Sequence, residues 1–379
     1  MRVLLISHTC QSATAGQPKA VELARAGVEL CVLVPDRWRD YGRWRRPDEP
    51  AFPPYRFEKG RVMWPWAGPA QFYLHWYPGL GRLLRDFRPD IIDLWEEPWG
   101  LVSAHACWLR NRLAAGCKIV SETEQNIDKH LPPPFEHFRK YTLRNADFVI
   151  GRNREAIEIV RRKGYRGPAE VVPNAVDPDL FRPMDRQSCR EKFGIRGFTA
   201  GYAGRLVEEK GLDDLLDAAA LCSRPVNVLI VGEGPHREHL EKKAAEAGLQ
   251  GRVRSLPALP FQELPEFMNA IDVFVLPSRT TRRWKEQFGR VIIEAHACGT
   301  PVIGSDSGAI PEVLGDGGWV VPERDPAALA RALEEAGAAE MAPQRRDELA
   351  RRARESFSWR AVAAAYASIY SRLMADRGV

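Results

Sequence analysis

Short apolar runs alternate with helical spacings along most of this chain, the pattern of a parallel sheet covered by helices. Arg2–Ser7 and Leu30–Pro35 read as the first two strands, joined by a Gly-containing loop through Gly16 and a helix over about Pro18–Gly27. Asp90–Trp95, Lys118–Glu122 and Asp147–Gly151 continue the series, with helices at about Trp99–Ala115 and Pro134–Arg144. Asp36–Arg88 is less regular, rich in Pro, Arg and aromatic residues, and reads as short strands and helices. After Ala169 the run Glu-Val-Val-Pro-Asn174-Ala-Val-Asp177-Pro reads as a turn, since Pro and Asn suit turns better than element interiors. A polar, basic helix follows and the alternation restarts. Its strands are Thr199–Ala203, Asn227–Val231, Val253–Leu256, Asp272–Leu276, Pro301–Ser305 and Trp319–Val321. Helices near Leu212–Leu221, Glu238–Ala247, Glu263–Ala270 and Pro326–Ala338 separate them, and Trp359–Leu373 closes the chain as an amphipathic helix. The expected architecture is α/β, with two doubly wound halves meeting near Pro173–Pro183.

Composition adds limits rather than a function. A length of 379 residues suits two or three domains, and 45% apolar with 28% charged residues is ordinary for a globular chain. No apolar run approaches the roughly 20 residues of a membrane span, and Val3-Leu-Leu-Ile6 is too short for a signal-peptide core. The seven cysteines are scattered and lack a CxxC pair, which argues for a reducing cytosol and against a disulfide framework or zinc site. Residues 1–170 carry 27 Lys/Arg against 20 Asp/Glu, a net +7, leaving −2 for the rest of a chain whose total is +5. Eight of the eleven Trp residues also precede residue 110. A basic, Trp-rich half is suited to anionic head groups or an anionic acceptor, or is simply a solvated surface over a Trp-containing core. No RNA- or DNA-binding motif is present, so nucleic acid is not an expected partner.

Candidate chemistry concentrates in Glu286-Gln-Phe-Gly289-Arg-Val-Ile-Ile-Glu294, between the strands Asp272–Leu276 and Pro301–Ser305. Glu286 falls in a loop, Gly289 at a helix start and Glu294 within that helix. A helix N-terminus offers N–H groups and partial positive charge to a phosphate. Carboxylates on either side can accept hydrogen bonds from sugar hydroxyls, so the stretch suits a nucleotide diphosphate sugar. Ala203-Gly204-Arg205-Leu-Val-Glu-Glu-Lys210-Gly211 follows the first strand of this half and sets two cations at the carboxyl edge of the sheet, where open α/β folds bind ligands. Those charges would neutralise a departing diphosphate. Val231-Gly-Glu-Gly-Pro235 lacks the third glycine of a dinucleotide fingerprint, which disfavours a dehydrogenase. Ser305-Asp-Ser-Gly308-Ala-Ile-Pro-Glu312 makes a further strand-to-helix loop at the same edge.

Together these residues resemble the donor-binding domain of the family 4 retaining glycosyltransferases. The resemblance rests on Gly204-Arg205, Lys210-Gly211, Gly232-Glu-Gly234, Phe288-Gly289 between Glu286 and Glu294, and Gly308-x-x-Pro-Glu312, over about residues 170–330. It implies the GT-B fold: two Rossmann-like domains facing a cleft, with the C-terminal helix returning to the N-terminal domain. The implied domains are 1–173 with 358–379, binding acceptor, and 174–357, binding donor. Arg205 and Lys210 would hold the diphosphate beside Gly204, Glu294 the ribose, and Glu286 the transferred sugar. The amides around Phe288 and Gly289 would touch phosphate, and Gly16 would approach the donor. The reaction would retain anomeric configuration without a protein nucleophile, cofactor or metal; the nucleotide sugar is a co-substrate.

One departure concerns the loop after Lys118–Glu122. Many relatives carry a His there, whereas this chain reads Ser121-Glu-Thr-Glu124-Gln125-Asn126. Glu124, Gln125 or Asn126 is expected to replace its hydrogen bonds, with Glu124 also able to act as a base; the alternative is a loop that caps the next helix. His8 ends the first strand as a further substrate-binding candidate. Glu96 and Glu97 either bind acceptor hydroxyls or offset nearby arginines. The expected function is transfer of a hexose from a nucleotide diphosphate sugar, uridine favoured over guanosine, to a polysaccharide, a lipid-linked saccharide or a small metabolite. The alternatives are a nucleotide-sugar epimerase of the same fold and a non-catalytic nucleotide-sugar binder. The expected location is cytoplasmic, with the basic half available for peripheral contact at the inner membrane face.

Overall fold

The computed structural model describes residues 1–40, 43–50, 53–66, 70–338 and 343–375. The chain divides into two units, Met1–Pro173 with Trp359–Val379, and Asn174–Ser358.

The first unit contains β1 (Arg2–Ile6), β2 (Glu29–Pro35), β3 (Trp38–Asp40), β4 (Arg43–Arg45), β5 (Arg56–Gly60), β6 (Ile91–Leu94), β7 (Lys118–Thr123), β8 (Phe148–Gly151) and β9 (Ala169–Val171), with the apolar runs in β1, β2, β6, β7 and β8. Seven of them make a parallel sheet in the order β5-β2-β1-β6-β7-β8-β9, and β3 pairs with β4 as an antiparallel ribbon. β1 and β6 are buried almost throughout, as expected of strands covered on both faces. β9 is a correction: the stretch expected as a turn begins with a short, mostly exposed edge strand before Pro173. The helix Arg154–Arg162, amphipathic and capped by the Asn153 side chain, also lies where no element was expected.

The C-terminal helix Trp359–Ala375 packs on the helix Gln17–Arg25 of this unit. A buried polar cluster fastens it. Lys19 Nζ lies 2.7 Å from Glu122 and 3.2 Å from Asp93, both fully buried. Tyr366 donates to Glu122 at 2.7 Å and Tyr370 to Asp93 at 2.6 Å. Arg152 pairs with Glu122 and donates to Tyr366 Oη at 2.8 Å. The Lys19 ammonium also sits 3.6 Å from the Tyr366 ring centroid and 4.4 Å from that of Trp95. Two cations and two acids thus satisfy one another where single charges would be costly.

The second unit contains β10 (Thr199–Ala203), β11 (Asn227–Val231), β12 (Val253–Leu256), β13 (Val273–Leu276), β14 (Val302–Ser305) and β15 (Gly318–Val321), all parallel in the order β12-β11-β10-β13-β14-β15. This strand order reverses between β10 and β13, so the loops after those two strands open a crevice at the carboxyl edge. Helices Leu212–Leu221, Arg237–Glu246, Leu264–Ala270, Arg290–Ala297 and Pro326–Ala338 cover the sheet. The helix Pro343–Phe357 was not expected: its sequence is strongly polar, but Leu349, Ala353 and Phe357 form a buried stripe at four-residue spacing.

Candidate functional site

Loops at the switch point of the second sheet bring the principal candidates together. Gly211 ends the short turn Glu208–Lys210 with φ +66°, and a Cβ there would lie 1.9 Å from the Pro277 carbonyl. Only glycine lets the loop after β10 approach the loop after β13 this closely. Arg279 then clamps the two loops with 2.8 and 2.5 Å bonds to Asp214, and its amide donates to the Glu209 carbonyl.

Across that junction Lys210 Nζ donates to Glu286 Oε2 at 2.7 Å, although 76 positions separate them. Their side chains are 15% and 12% exposed, so the pair is shielded yet reachable. Ser278 Oγ donates to the same carboxylate oxygen at 3.1 Å, and the Trp284 ring lies 4.6 Å from the ammonium. The sequence assigned Lys210 to diphosphate and Glu286 to sugar as separate contacts; the structure joins them into one unit. Arg205 is exposed beside Gly204. Its backbone carbonyl accepts from the Tyr202 hydroxyl at 2.9 Å. Backbone bonds Leu206 N to Glu233 O and His236 N to Leu206 O tie this loop to the Gly-Glu-Gly loop after β11.

The Glu286–Glu294 stretch has the expected local form. Gly289 precedes the helix Arg290–Ala297 with φ +79° and no side chain caps the helix N-terminus. Phe288 is buried and packs toward Phe357, with ring centroids 6.4 Å apart, so its side chain anchors the loop while its amide stays in the backbone turn. Glu294 is buried. Burial pushes its carboxyl above the ordinary range, and Arg290 at 3.9 Å offsets that only in part. The loop after β14 is fixed as well: Ser305 Oγ donates to the Ser278 carbonyl at 2.5 Å, and Thr280 bonds Glu323 and Ser307.

The first unit builds a second polar edge, also at a strand-order reversal, between β1 and β6. His8 Nδ1 is 2.8 Å from both oxygens of Glu96, and the His8 amide donates to Glu96 Oε1 at 2.6 Å. His75 Nε2 lies 3.7 Å from the same carboxylate. Burial would raise the Glu96 carboxyl, but the two imidazoles hold it well below the usual range. Trp38 stacks on His8 with ring centroids 5.1 Å apart. Glu97 accepts from the Thr123 hydroxyl at 2.7 Å and the Glu124 amide at 2.8 Å, and burial pushes it up to about 7. Neither Glu96 nor Glu97 pairs with an arginine in these contacts, which corrects one expectation for them. Glu124 is partly exposed, with its carboxylate 3.5 Å from Arg152 Nε; Asn126 is buried. Gly16 precedes the helix Gln17–Arg25, and a Cβ there would sit 2.6 Å from the Cys10 backbone. Its lack of a side chain is therefore also a packing requirement.

Sequence reading missed one further cluster in the second unit. His236 and His239 place Nε2 at 2.7 and 2.6 Å from the two oxygens of Asp213. Cysteine spacing could not reveal it, and its only sequence signal is the His-x-x-His after Gly234-Pro235.

Residues 185–356 match the family model for glycosyl transferases group 1, and residues 20–180 match that for glycosyltransferase family 4. A D-inositol 3-phosphate glycosyltransferase of Streptomyces scabiei is 36% identical over 341 residues, covering 83% of this chain and 72% of that protein. Several other curated relatives are matched over only about half of their own length. Among solved structures, sucrose-phosphate synthase from Thermosynechococcus elongatus aligns with a TM-score of 0.74 at 23% identity, over 99% of this chain and 100% of that one. The Anabaena HepE protein in complex with UDP aligns with a TM-score of 0.73 at 18% identity, over 98% and 100% of the two chains. At such identities the structural likeness concerns the fold. With both halves matched by these models and a relative aligned along most of its length, this chain belongs to the family 4 glycosyltransferases and has their GT-B fold.

Proposed function

We propose that this glycosyltransferase moves a hexose from a UDP-sugar to a hydroxyl acceptor with retention of anomeric configuration and without a catalytic metal. The observation that carries the reading is the Lys210–Glu286 pair at the switch point of the second sheet. In the proposed cycle the diphosphate takes over the Lys210 ammonium, with Arg205 as the second cation, and frees Glu286 to accept from sugar hydroxyls. Lys210 then stabilises charge on the departing diphosphate. Glu294 accepts from the ribose hydroxyls, which replaces its desolvated state with charge-assisted hydrogen bonds. The second unit is proposed as the donor-binding unit, and the first unit, taken by itself, offers His8, Glu124 and Asn126 to an acceptor.

UDP is favoured over GDP because a protein of the same fold has been crystallised with UDP. Among polysaccharide, lipid-linked and small-metabolite acceptors, the small polar metabolite is favoured by the name of the 36%-identical relative, a D-inositol 3-phosphate glycosyltransferase. The test offers UDP-, GDP- and ADP-sugars with inositol phosphate and simple glycoside acceptors, in EDTA, and reads product configuration by NMR coupling constants. An α-linked product from an α-linked donor agrees with the proposal. Isomerised donor without acceptor use supports an epimerase, bound but unchanged donor a non-catalytic binder, and an inverted product removes the retaining mechanism.

Peripheral membrane contact is proposed for the first unit, where Trp44, Trp64, Trp66 and Trp108 are exposed. Among the described residues no helix is long and apolar enough to cross a membrane. Cosedimentation with anionic but not zwitterionic vesicles, together with cytoplasmic fractionation, is the expected outcome; equal partition between the two would remove the contact.

A further inference from the structure

Asp213, His236 and His239 converge from two separate helices of the second unit. Asp213 is in the first turn of the helix Leu212–Leu221, His236 immediately precedes the helix Arg237–Glu246, and His239 is in its first turn. The imidazoles stack with centroids 4.4 Å apart and an interplanar angle of 28°, so both aim Nε2 at the same carboxylate, one at each oxygen. One ligand atom from each residue lies within 4.8 Å of the others. Among the described residues no lysine or arginine lies within ion-pair distance of Asp213, and its side-chain hydrogen-bond partners are these two histidines. The nearby cations are committed elsewhere: Arg279 to Asp214, Lys243 to Asp217, and Arg237 to the Gly232 and Leu256 carbonyls.

We infer that Asp213, His236 and His239 form a binding site for a divalent transition metal ion of the zinc class, which fastens the helix Leu212–Leu221 to the start of the helix Arg237–Glu246. Two imidazoles and one carboxylate are a donor set that Zn²⁺ takes in tetrahedral geometry, with the fourth position left to water. The metal would displace the protons now shared between the Nε2 atoms and the carboxylate. The frame is rigid on both sides. The His236 amide is bonded to the Leu206 carbonyl, and Asp214, next to Asp213, is held by Arg279. His239 is 54% exposed, which gives the ion an entry path. The site lies three residues beyond Lys210, so a bound ion would fix the loop that carries this cation without taking part in sugar transfer. This inference does not depend on the proposed donor or acceptor.

The test titrates Zn²⁺ into the full-length, tag-free protein against a chromogenic chelator, and records the visible absorption of the Co²⁺ form. The expected result is one equivalent bound with micromolar or tighter affinity and a Co²⁺ spectrum of low coordination number. Loss of a group outside the ligand set already costs about 10- to 100-fold in affinity, so His239→Ala should weaken binding by at least about 100-fold. His239 is half-exposed and its loss should leave the melting temperature of the metal-free protein unchanged; added Zn²⁺ should raise that temperature for the wild type alone. His236→Gln provides a second, volume-conserving test. Wild-type binding weaker than about 100 μM, or His239→Ala binding within about tenfold of wild type, overturns the site.

Discussion

Replacing Lys19 by Met tests how the C-terminal helix is held on the first unit. The substitution keeps the aliphatic stem and removes the ammonium that lies 2.7 Å from Glu122 and 3.2 Å from Asp93. Breaking a buried pair by deleting one partner costs about 3–5 kcal/mol, because the other charge is left without compensation. Here the cost should fall at the lower end near neutral pH. Arg152 still pairs with Glu122, and burial already pushes Asp93 up to about 7, so Asp93 can take a proton instead of remaining a buried anion. The sign follows from linkage. Between the unfolded value near 3.8 and about 7 the folded wild-type chain holds the extra proton, so this carboxyl's contribution to stability declines as pH rises through that window. Above it the variant must protonate Asp93 against the solution, at a further cost of up to about 1.4 kcal/mol per pH unit. Urea unfolding followed by Trp fluorescence reports mainly the first unit, which holds eight of the eleven Trp residues before position 110. With a slope of about 2–3 kcal/mol per molar urea, a 3 kcal/mol loss moves the midpoint by about 1–1.5 M. A shift below about 0.3 M at pH 7, or a shift that does not grow toward pH 9, would refute the account of this cluster.

Three further predictions address the candidate site. Lys210→Ala should lower kcat by roughly 100-fold or more, the scale of losing one electrostatic stabiliser of transition-state charge; steady-state turnover near wild type would remove Lys210 from that role. Glu294→Gln should weaken donor binding by roughly tenfold or more, the equivalent of one charge-assisted hydrogen bond of about 1.5–3 kcal/mol. Because burial raises the free Glu294 carboxyl and ribose hydroxyls would favour its ionised form, wild-type donor affinity should fall as pH is lowered through that raised value. Calorimetry should show this pH dependence disappear in Glu294→Gln, and a persistent dependence would contradict the ribose assignment. Glu124→Gln should reduce turnover if Glu124 stands in for the usual histidine; unchanged kinetics would leave it a loop residue paired with Arg152.

Legibility in the sequence followed the physics of burial. Strands Thr199–Ala203, Asn227–Val231 and Val253–Leu256 match to the residue, because Gly197 and Gly204, Pro225 and Gly232, and Gly251 and Pro257 bracket them with turn chemistry. Glu170 and Val171 read as part of a turn because a short, mostly exposed edge strand has no apolar run to announce it. The helix Pro343–Phe357 was overlooked for a related reason: three buried positions among many arginines and glutamates are a weak periodic signal, though Leu349, Ala353 and Phe357 carried it. Motif spacing singles out candidate residues one at a time, whereas their partners are not legible in it. Nothing in the sequence pairs Lys210 with Glu286 across 76 positions, or Asp213 with His236 and His239 across 23 and 26. Those pairings come from a strand order that only the folded sheet reveals. His8 and Glu96 are a parallel case: each stood out alone, and the reversal between β1 and β6 joins them.

In the proposed function, the switch-point edge of the second unit holds a nucleotide diphosphate sugar. The most direct measurement incubates the purified protein with uridine, guanosine and adenosine diphosphate sugars without acceptor, and follows binding and slow donor hydrolysis by mass spectrometry. One uridine diphosphate sugar should bind per chain with slow release of UDP, and Lys210→Ala should slow that release by roughly 100-fold or more. Failure of every nucleotide sugar to bind would contradict it.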